Sequence, residues 1–479
     1  MRRRLTFPAL ALGLFMLAST LGGGAAAAVT WTQVSTGDVI NFAEPGLHRT
    51  ADGVLHVMWP EDNALGDADI LHATIAPDGT VTAPTLAQEN WWTLWPGGGD
   101  IVPAADGGIA YFFGGLRSNA PGEPNDGLNM IASDAAGTTW DVHLGNLEPP
   151  ATVARSSTIG AAVDATLTPY QIWGSSVHRG LDPASPATSF QGAAGFGCCS
   201  YNGGLAADAL TGAMYAGWYS NAAAPNRGVW VQEVSTTDGT PVGSPTRMPG
   251  SVSIYNGTEQ SADAGTRIPM TGRPGAGGVF VAWPGGYPSQ HQLLLWQPFD
   301  AEATTVWSAR ETDIDDPAIA ASPDGRLWVA WTQGERVFAR RSNLDVTRWG
   351  AAVKVPWPPE QESNFDLKID SGDGFLDVIG NFDSFTSSPA FFHVRLLPGL
   401  KVAAQPGSFR REARVRFTVT DAGDPVAGAT VKVDGKTKTT NASGVAQIRL
   451  GPYNRARRLT AKATAPGYKV GKTTVRVRR

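Results

Sequence analysis

The stretch PAIAASPDGRLWVAW, from Pro317 to Trp331, decides the fold. An apolar run reaches Ser322, a Pro323-Asp324-Gly325 turn follows, and Leu327 to Trp331 form a second apolar run with a large aromatic end. Two strand-like runs joined by a glycine-containing turn predict a β-hairpin, because proline and aspartate start a turn and glycine takes its left-handed position. The phrase recurs as GLHRTADGVLHVMW (ending Trp59), DIVPAADGGIAYFF (Phe113), TIGAAVDATLTPYQIW (Trp173), GGLAADALTGAMYAGW (Trp218), RIPMTGRPGAGGVFVAW (Trp283) and DLKIDSGDGFLDVI (Ile379). The successive ends lie 54, 60, 45, 65, 48 and 48 residues apart, within or near the periods of arrays built from one supersecondary unit.

A second, weaker pair of strands follows each hairpin, clearest where RVFARRS leads through a turn to TRWGAAV. Four strands per unit of this length describe a propeller blade. The last unit has only one further strand, FFHVRLL, so the ring needs an outer strand from elsewhere, and WTQVST from Trp31 has the right pattern. The chain therefore reads as all-β, with residues 29 to about 398 forming a closed seven-bladed β-propeller. Six blades is the alternative, since the third and fourth copies lack the Asp-Gly turn.

Arg2, Arg3 and Arg4 precede an apolar stretch from Leu5 to about Leu21, and Ala25 to Ala28 offer a small-residue cleavage site. Residues 1–28 thus read as a signal peptide, short for a membrane span, and the expected location is secreted or extracellular, including cell-envelope association. Charge divides the rest of the chain. Residues 401–479 hold 18 Lys+Arg against 4 Asp+Glu, whereas residues 29–400 hold 17 against 39. Opposite signs in two parts of one chain mark a domain boundary and point to partners. The acidic propeller is a poor surface for nucleic acid, which is not expected as a specific partner. The basic tail suits an anionic envelope polymer.

Residues 399–479 read as a second all-β domain. Alternation runs through Arg414 to Val419, Ala429 to Val433 and Val445 to Leu450. The segment DAGDPVAGATVKVDGKTKTTNASGVAQIRL, with APGY at Ala465 to Tyr468, resembles the bacterial Ig-like and carboxypeptidase-regulatory-like β-sandwiches. That resemblance implies a non-catalytic accessory or spacer module.

In the first domain, Ser133-Asp134-Ala135-Ala136-Gly137-Thr138-Thr139-Trp140 is similar to the Asp-box, S-x-D-x-G-x-T-W, of sialidase-like propellers, with Ala135 at the Asp position. Ser342 to Trp349 and Ser235 to Gly239 are weaker echoes. In that family the box is a structural turn between outer strands, so it implies blade type and not activity. Sialidases also resemble one another in an R-I-P motif and a three-arginine clamp for the substrate carboxylate. Arg267-Ile268-Pro269 matches the motif, 16 residues before Trp283, but stands in the fifth unit, after Thr266.

Loops that lead into the innermost strands of a propeller gather on one face around its axis. Applied unit by unit, this assembles Glu44, Asp100, Arg155, Tyr201, Asn202, Arg267, Asp315, Asp316, Asn364 and Asp366. Loops leaving the second strands add Arg117, His178, Arg179, Tyr287, His291, Glu335 and Asp383. The ligand-binding candidates are Glu44, Arg155, Tyr201, Asn202, Arg267, Asp315, Asp316 and Asp366, a set suited to a hydroxyl-rich ligand. Asp315 and Asp316 are neighbours that an extended strand would point to opposite faces, so they are not themselves a catalytic pair. No cofactor is expected. Calcium is the alternative, with Asp62, Asn63, Asp67 and Asp69 offering oxygens. The adjacent Cys198 and Cys199 read as a vicinal disulfide of an exported protein, beside Tyr201.

The resulting expectation is an exported monomer whose propeller recognises an extracellular glycan or other polyhydroxylated polymer through one face. A sialidase-like glycoside hydrolase or lyase, and a structural or adhesive surface protein, are the alternatives.

Overall fold

A computed structural model describes residues 30–36, 38, 39, 44–91, 93, 94, 98–116, 126–134, 137–143, 159–173, 176–179, 191, 192, 200–220, 226–251, 267–285, 291–310, 314–384 and 387–479. The segment read as a signal peptide, Arg117, Arg155, Tyr287, Cys198 and Cys199 lie outside these residues, as do the side chains of Tyr201, Asn202 and His178.

The described residues are all-β and form a β-propeller followed by a smaller two-sheet unit. Each repeated phrase is an antiparallel hairpin, and each hairpin is the inner half of its own sheet. The innermost strands are Gly46–Arg49, Asp100–Pro103, Ile159–Val163, Ser200–Ala207, Met270–Gly272, Asp315–Ala321 and Ser363–Ser371. Consecutive members of this series touch, and the last touches the first, so the seven sheets close around an axis.

The turn chemistry explains why the third and fourth phrases make hairpins without Asp-Gly. Asp52, Asp106 and Asp324 each accept the backbone N–H two residues on with a carboxylate oxygen. Asp164 does the same for Thr166, at 2.8 Å, and Asp208 for Leu210, at 2.8 Å. An aspartate carboxylate braces all five turns, from within the turn at Asp52, Asp106 and Asp324 and from its first position at Asp164 and Asp208, where in the third phrase Leu167 takes the left-handed position, with φ of 62°.

The large residue that ends a phrase fills the space between sheets. Trp59, Phe113, Trp218, Trp283, Trp331 and Ile379 are all buried. Trp59 meets Phe391 of the seventh sheet edge-on, at 6.0 Å between ring centroids. This contact belongs to a core shared by Val34, Val57, Ile75 and Ile379, which seals the first sheet to the last.

The ring is also closed by strand exchange. Thr32–Gln33 pairs antiparallel with Ser387–Leu396, setting Thr32 opposite His393 and Gln33 opposite Phe392. Beyond the ladder, Val34 N–H donates to Phe391 O at 2.8 Å, and Phe391 N–H donates to Ser35 Oγ at 2.9 Å. Between the first and last sheets, at the hairpin-turn end of their inner strands, Arg49 donates to Asp370 at 2.6 Å and to Asp377 at 2.7 Å, and Arg395 also donates to Asp377.

Side-chain hydrogen bonds hold the turn that was compared with an Asp-box. Ser133 to Trp140 connects the third and fourth strands of the second sheet, Asp126–Ser133 and Trp140–His143. Asp134, one position before the usual aspartate, accepts from the N–H of Thr138 at 2.8 Å and of Thr139 at 3.2 Å. Ser342 to Trp349 repeats the pattern with Asn343 as acceptor for Thr347 and Arg348. Both leading serines accept from the first N–H of their sheet's second strand, that of Ile109 or Leu327.

The last propeller strand ends at Leu396 and the tail begins with Lys401–Gln405. The tail packs two sheets over Val415, Phe417, Val419, Val431, Ile448, Leu459 and Val475. It docks on the sixth sheet with charges opposite to those of the two domains. Arg341 of the propeller forms a buried ion pair with Asp421 and donates to Tyr468 Oη at 3.1 Å, while Arg326 pairs with Asp424 at 2.8 Å.

Candidate functional site

Each innermost strand has one edge paired within its sheet and the other turned to the axis. Around the axis lies a cavity of about 240 Å³, lined by residues from all seven innermost segments, among them Leu47, Ile101, Ala161, Leu205, Thr271, Ala318 and Lys368. Its polar groups include Glu44, Asp100, Arg267, Lys368 and Asp370.

Glu44, Asp100 and Arg267 come from the first, second and fifth units, and they meet in one ion cluster. Arg267 Nε donates to Glu44 Oε2, Nη1 lies 2.8 Å from Asp100 Oδ1, and Nη2 donates to Pro45 O at 3.0 Å. The backbone N–H of Arg267 donates to the other oxygen of Glu44, and Nη1 also reaches Ile159 O at 3.3 Å. Arg267 and Glu44 are only 4 % and 2 % exposed. Burial opposes the guanidinium charge, but Asp100 and Glu44 overcome it and hold its pKa above the ordinary arginine value. Arg267 lines the cavity and is almost wholly enclosed: its donors tie the leading ends of the innermost strands together.

Lys368 completes the cluster from the seventh sheet, with Nζ 3.4 Å from Glu44 Oε2 and a side chain 24 % exposed. Burial and repulsion from Arg267 lower its pKa, against the pull of Glu44 and Asp100. The alternation Asp366-Leu367-Lys368-Ile369-Asp370 explains its aim, since Leu367 and Ile369 enter the inter-sheet core and leave Lys368 and Asp370 to the axis. Sequence reasoning missed Lys368, the one cation on the polar side of the alternating strand SNFDLKIDS.

Asp316 stands behind the cavity wall. Its Oδ2 accepts from Thr332 Oγ1 at 2.9 Å and from Asn364 Nδ2. Burial, opposed by these two bonds and reinforced by Glu44, raises its pKa to about 7. Asp316 has a φ of 46°, and the register shifts between Asp315 and Ala318, so the expected simple alternation of Asp315 and Asp316 on an extended strand is interrupted by an irregularity.

Asp366 is buried, with Oδ1 accepting the N–H of Leu367 at 2.7 Å. Tyr201 and Asn202 lie at the leading end of Ser200–Ala207. Of the second set, Arg179 donates to Tyr170 Oη at 2.8 Å and to Thr236 O at 2.9 Å, bonds that tie it to the second strand of its own sheet and to a turn of the next sheet.

The calcium candidate is a turn. Asn63 Oδ1 accepts the N–H of Leu65 and of Asp67, and Asp69 accepts from Asn63 Nδ2 at 3.0 Å and from Asn90 N–H at 2.9 Å. Among the described residues no group of three or more His, Cys, Asp or Glu is placed to hold a metal ion. Nor is any helix among them long and apolar enough to cross a membrane.

No family model matches the chain, and no curated protein matches it in sequence. Solved structures are similar to it in three dimensions. An ulvan lyase of polysaccharide lyase family PL25 is 10 % identical over 75 % of this chain and 95 % of its own, with a TM-score of 0.42. A GH43_1 enzyme from Xanthomonas citri is 11 % identical over 78 % of this chain and 91 % of its own, with a TM-score of 0.33. A protein of unknown function from Dyadobacter fermentans is 12 % identical over 77 % of this chain and 99 % of its own, with a TM-score of 0.40.

Proposed function

We propose that the chain is an exported, seven-bladed propeller protein that recognises one unit of an extracellular glycan at the axial cavity, with an Ig-like tail as accessory domain. The observation that carries this reading is the cavity itself: Lys368 and Asp100 face it beside strand edges turned to the axis. A sugar hydroxyl both donates and accepts, and a wall of carboxylate, ammonium, N–H and C=O groups answers both. At about 240 Å³ the cavity is smaller than the roughly 300 Å³ where sites for drug-sized ligands begin, so it suits a single hexose-sized unit. Arg267 serves this site by holding Glu44 and Asp100 in place.

A glycan array followed by titration calorimetry with the best oligosaccharide tests the reading. Lys368→Met should weaken binding at least about tenfold through loss of one charge-assisted hydrogen bond, while the melting temperature stays near that of the parent. Unchanged affinity in both Lys368→Met and Asp100→Asn would overturn it.

One observation favours a catalytic second reading. Lys368, with its lowered pKa, and Asp316, with its raised pKa, both interact with Glu44, and acid and base groups shifted toward neutrality are what proton transfer in hydrolysis or elimination needs. Release of reducing ends from the bound oligosaccharide, or turnover of a fluorogenic sialoside, would promote this reading.

A further inference from the structure

The tail has only four Asp and Glu residues, and the structure uses each of them away from one sheet face. Asp421 and Asp424 turn into the propeller. Glu412 pairs with Arg449 at 3.2 Å, and Asp434 pairs with Arg457 at 3.3 Å. The outer face of the five-stranded sheet is left with cations. Register sets Lys432 opposite Lys462 and Lys462 opposite Lys472, so three ammonium groups stand in a row across three strands. Arg458 opposite Arg476 makes a second row. All five are exposed, while Val431, Leu459, Ala461, Ala463 and Val475 fill the inner face.

Like charges directly opposite one another on adjacent strands destabilise a sheet. Strands lie about 4.8 Å apart, and the two rows, four residues apart along the strand, are separated by about 13 Å. Such a grid calls for a multivalent anion. We propose that this face binds a linear acidic polysaccharide, an interaction that goes beyond the propeller's own site. Three features favour that partner over nucleic acid. Thr460 and Thr474, opposite each other between the rows, give hydroxyls for sugar rings. Among the described residues no aromatic side chain stands on this face to stack a base, and no element projects from it to enter a groove.

The test measures binding of the full chain to polygalacturonate, dextran sulfate and neutral dextran across a salt series. Both polyanions should bind at low ionic strength and release as salt rises, while neutral dextran should not bind. The triple variant Lys432→Gln, Lys462→Gln, Lys472→Gln should bind about tenfold more weakly, with a shallower dependence on salt. Its melting temperature should not fall, because the substitutions relieve repulsion. A control triple on the other sheet, Lys401→Gln, Arg414→Gln, Arg416→Gln, should stay within about twofold of the parent. Equal losses in both triples would overturn the assignment to this face. Absence of polyanion binding at low salt, or tighter binding to duplex DNA than to either polysaccharide, would overturn the choice of partner.

Discussion

Asp316 concentrates the physical chemistry of the axial cluster in one carboxyl group. Burial and the nearby Glu44 hold its proton on until about pH 7, whereas the unfolded chain releases it near the ordinary value of 3.8. Between those values the unfolded state binds fewer protons than the folded state, so this group makes stability fall as pH rises from about 4 to about 7 and level off above. The substitution Asp316→Asn keeps an acceptor for both hydrogen bonds and tolerates the left-handed backbone. Chemical denaturation at several pH values should therefore show the Asp316→Asn variant gaining stability relative to the parent as pH rises, and a pH-independent difference would contradict the account. The rule of strand-leading residues picks Glu44, Asp100, Arg267, Asp316 and Asn364 out of the sequence. It could not reveal that Arg267 is consumed by two carboxylates more than a hundred residues away, because a pairing across the ring leaves no local pattern. Lys368 escapes the rule for the opposite reason: it stands inside a strand, where its alternation with Leu367 and Ile369 looks like core patterning alone.

At the scale of elements, the hairpins were the most legible, since alternation and a turn braced by an aspartate are local signals. Outer strands such as Gln191–Gly192 are too short to carry a period, so their existence depends on the sheet they edge. The closing strand was legible from a deficit, one strand too few in the seventh unit, and Thr32–Gln33 fills it. Deleting residues 30–36 would expose the edge of Ser387–Leu396, remove buried Val34 and break the bonds of Phe391 to Val34 and Ser35. One buried aliphatic side chain and several hydrogen bonds together amount to about 3 kcal/mol or more. The truncated protein should melt well below the parent by calorimetry, and an unchanged midpoint would show that the ring does not depend on this strand.

Across the whole molecule, charge is sorted rather than balanced. The acidic propeller offers arginines, Arg326 and Arg341, where it meets the tail, and the basic tail offers Asp421 and Asp424. The split in composition was plain in the sequence, but the reversal at the interface was not, because it depends on which few residues the docking turn presents. The outcome is two separate features, the axial cavity proposed to take a sugar unit and the cationic sheet face proposed to take a polyanion. Hydrogen–deuterium exchange with the oligosaccharide that binds best tests the axial claim most directly. The account predicts slowed exchange in residues 98–103, 267–272 and 363–371, with the tail unchanged. Protection confined to the outer strands or to residues 401–479 would contradict it.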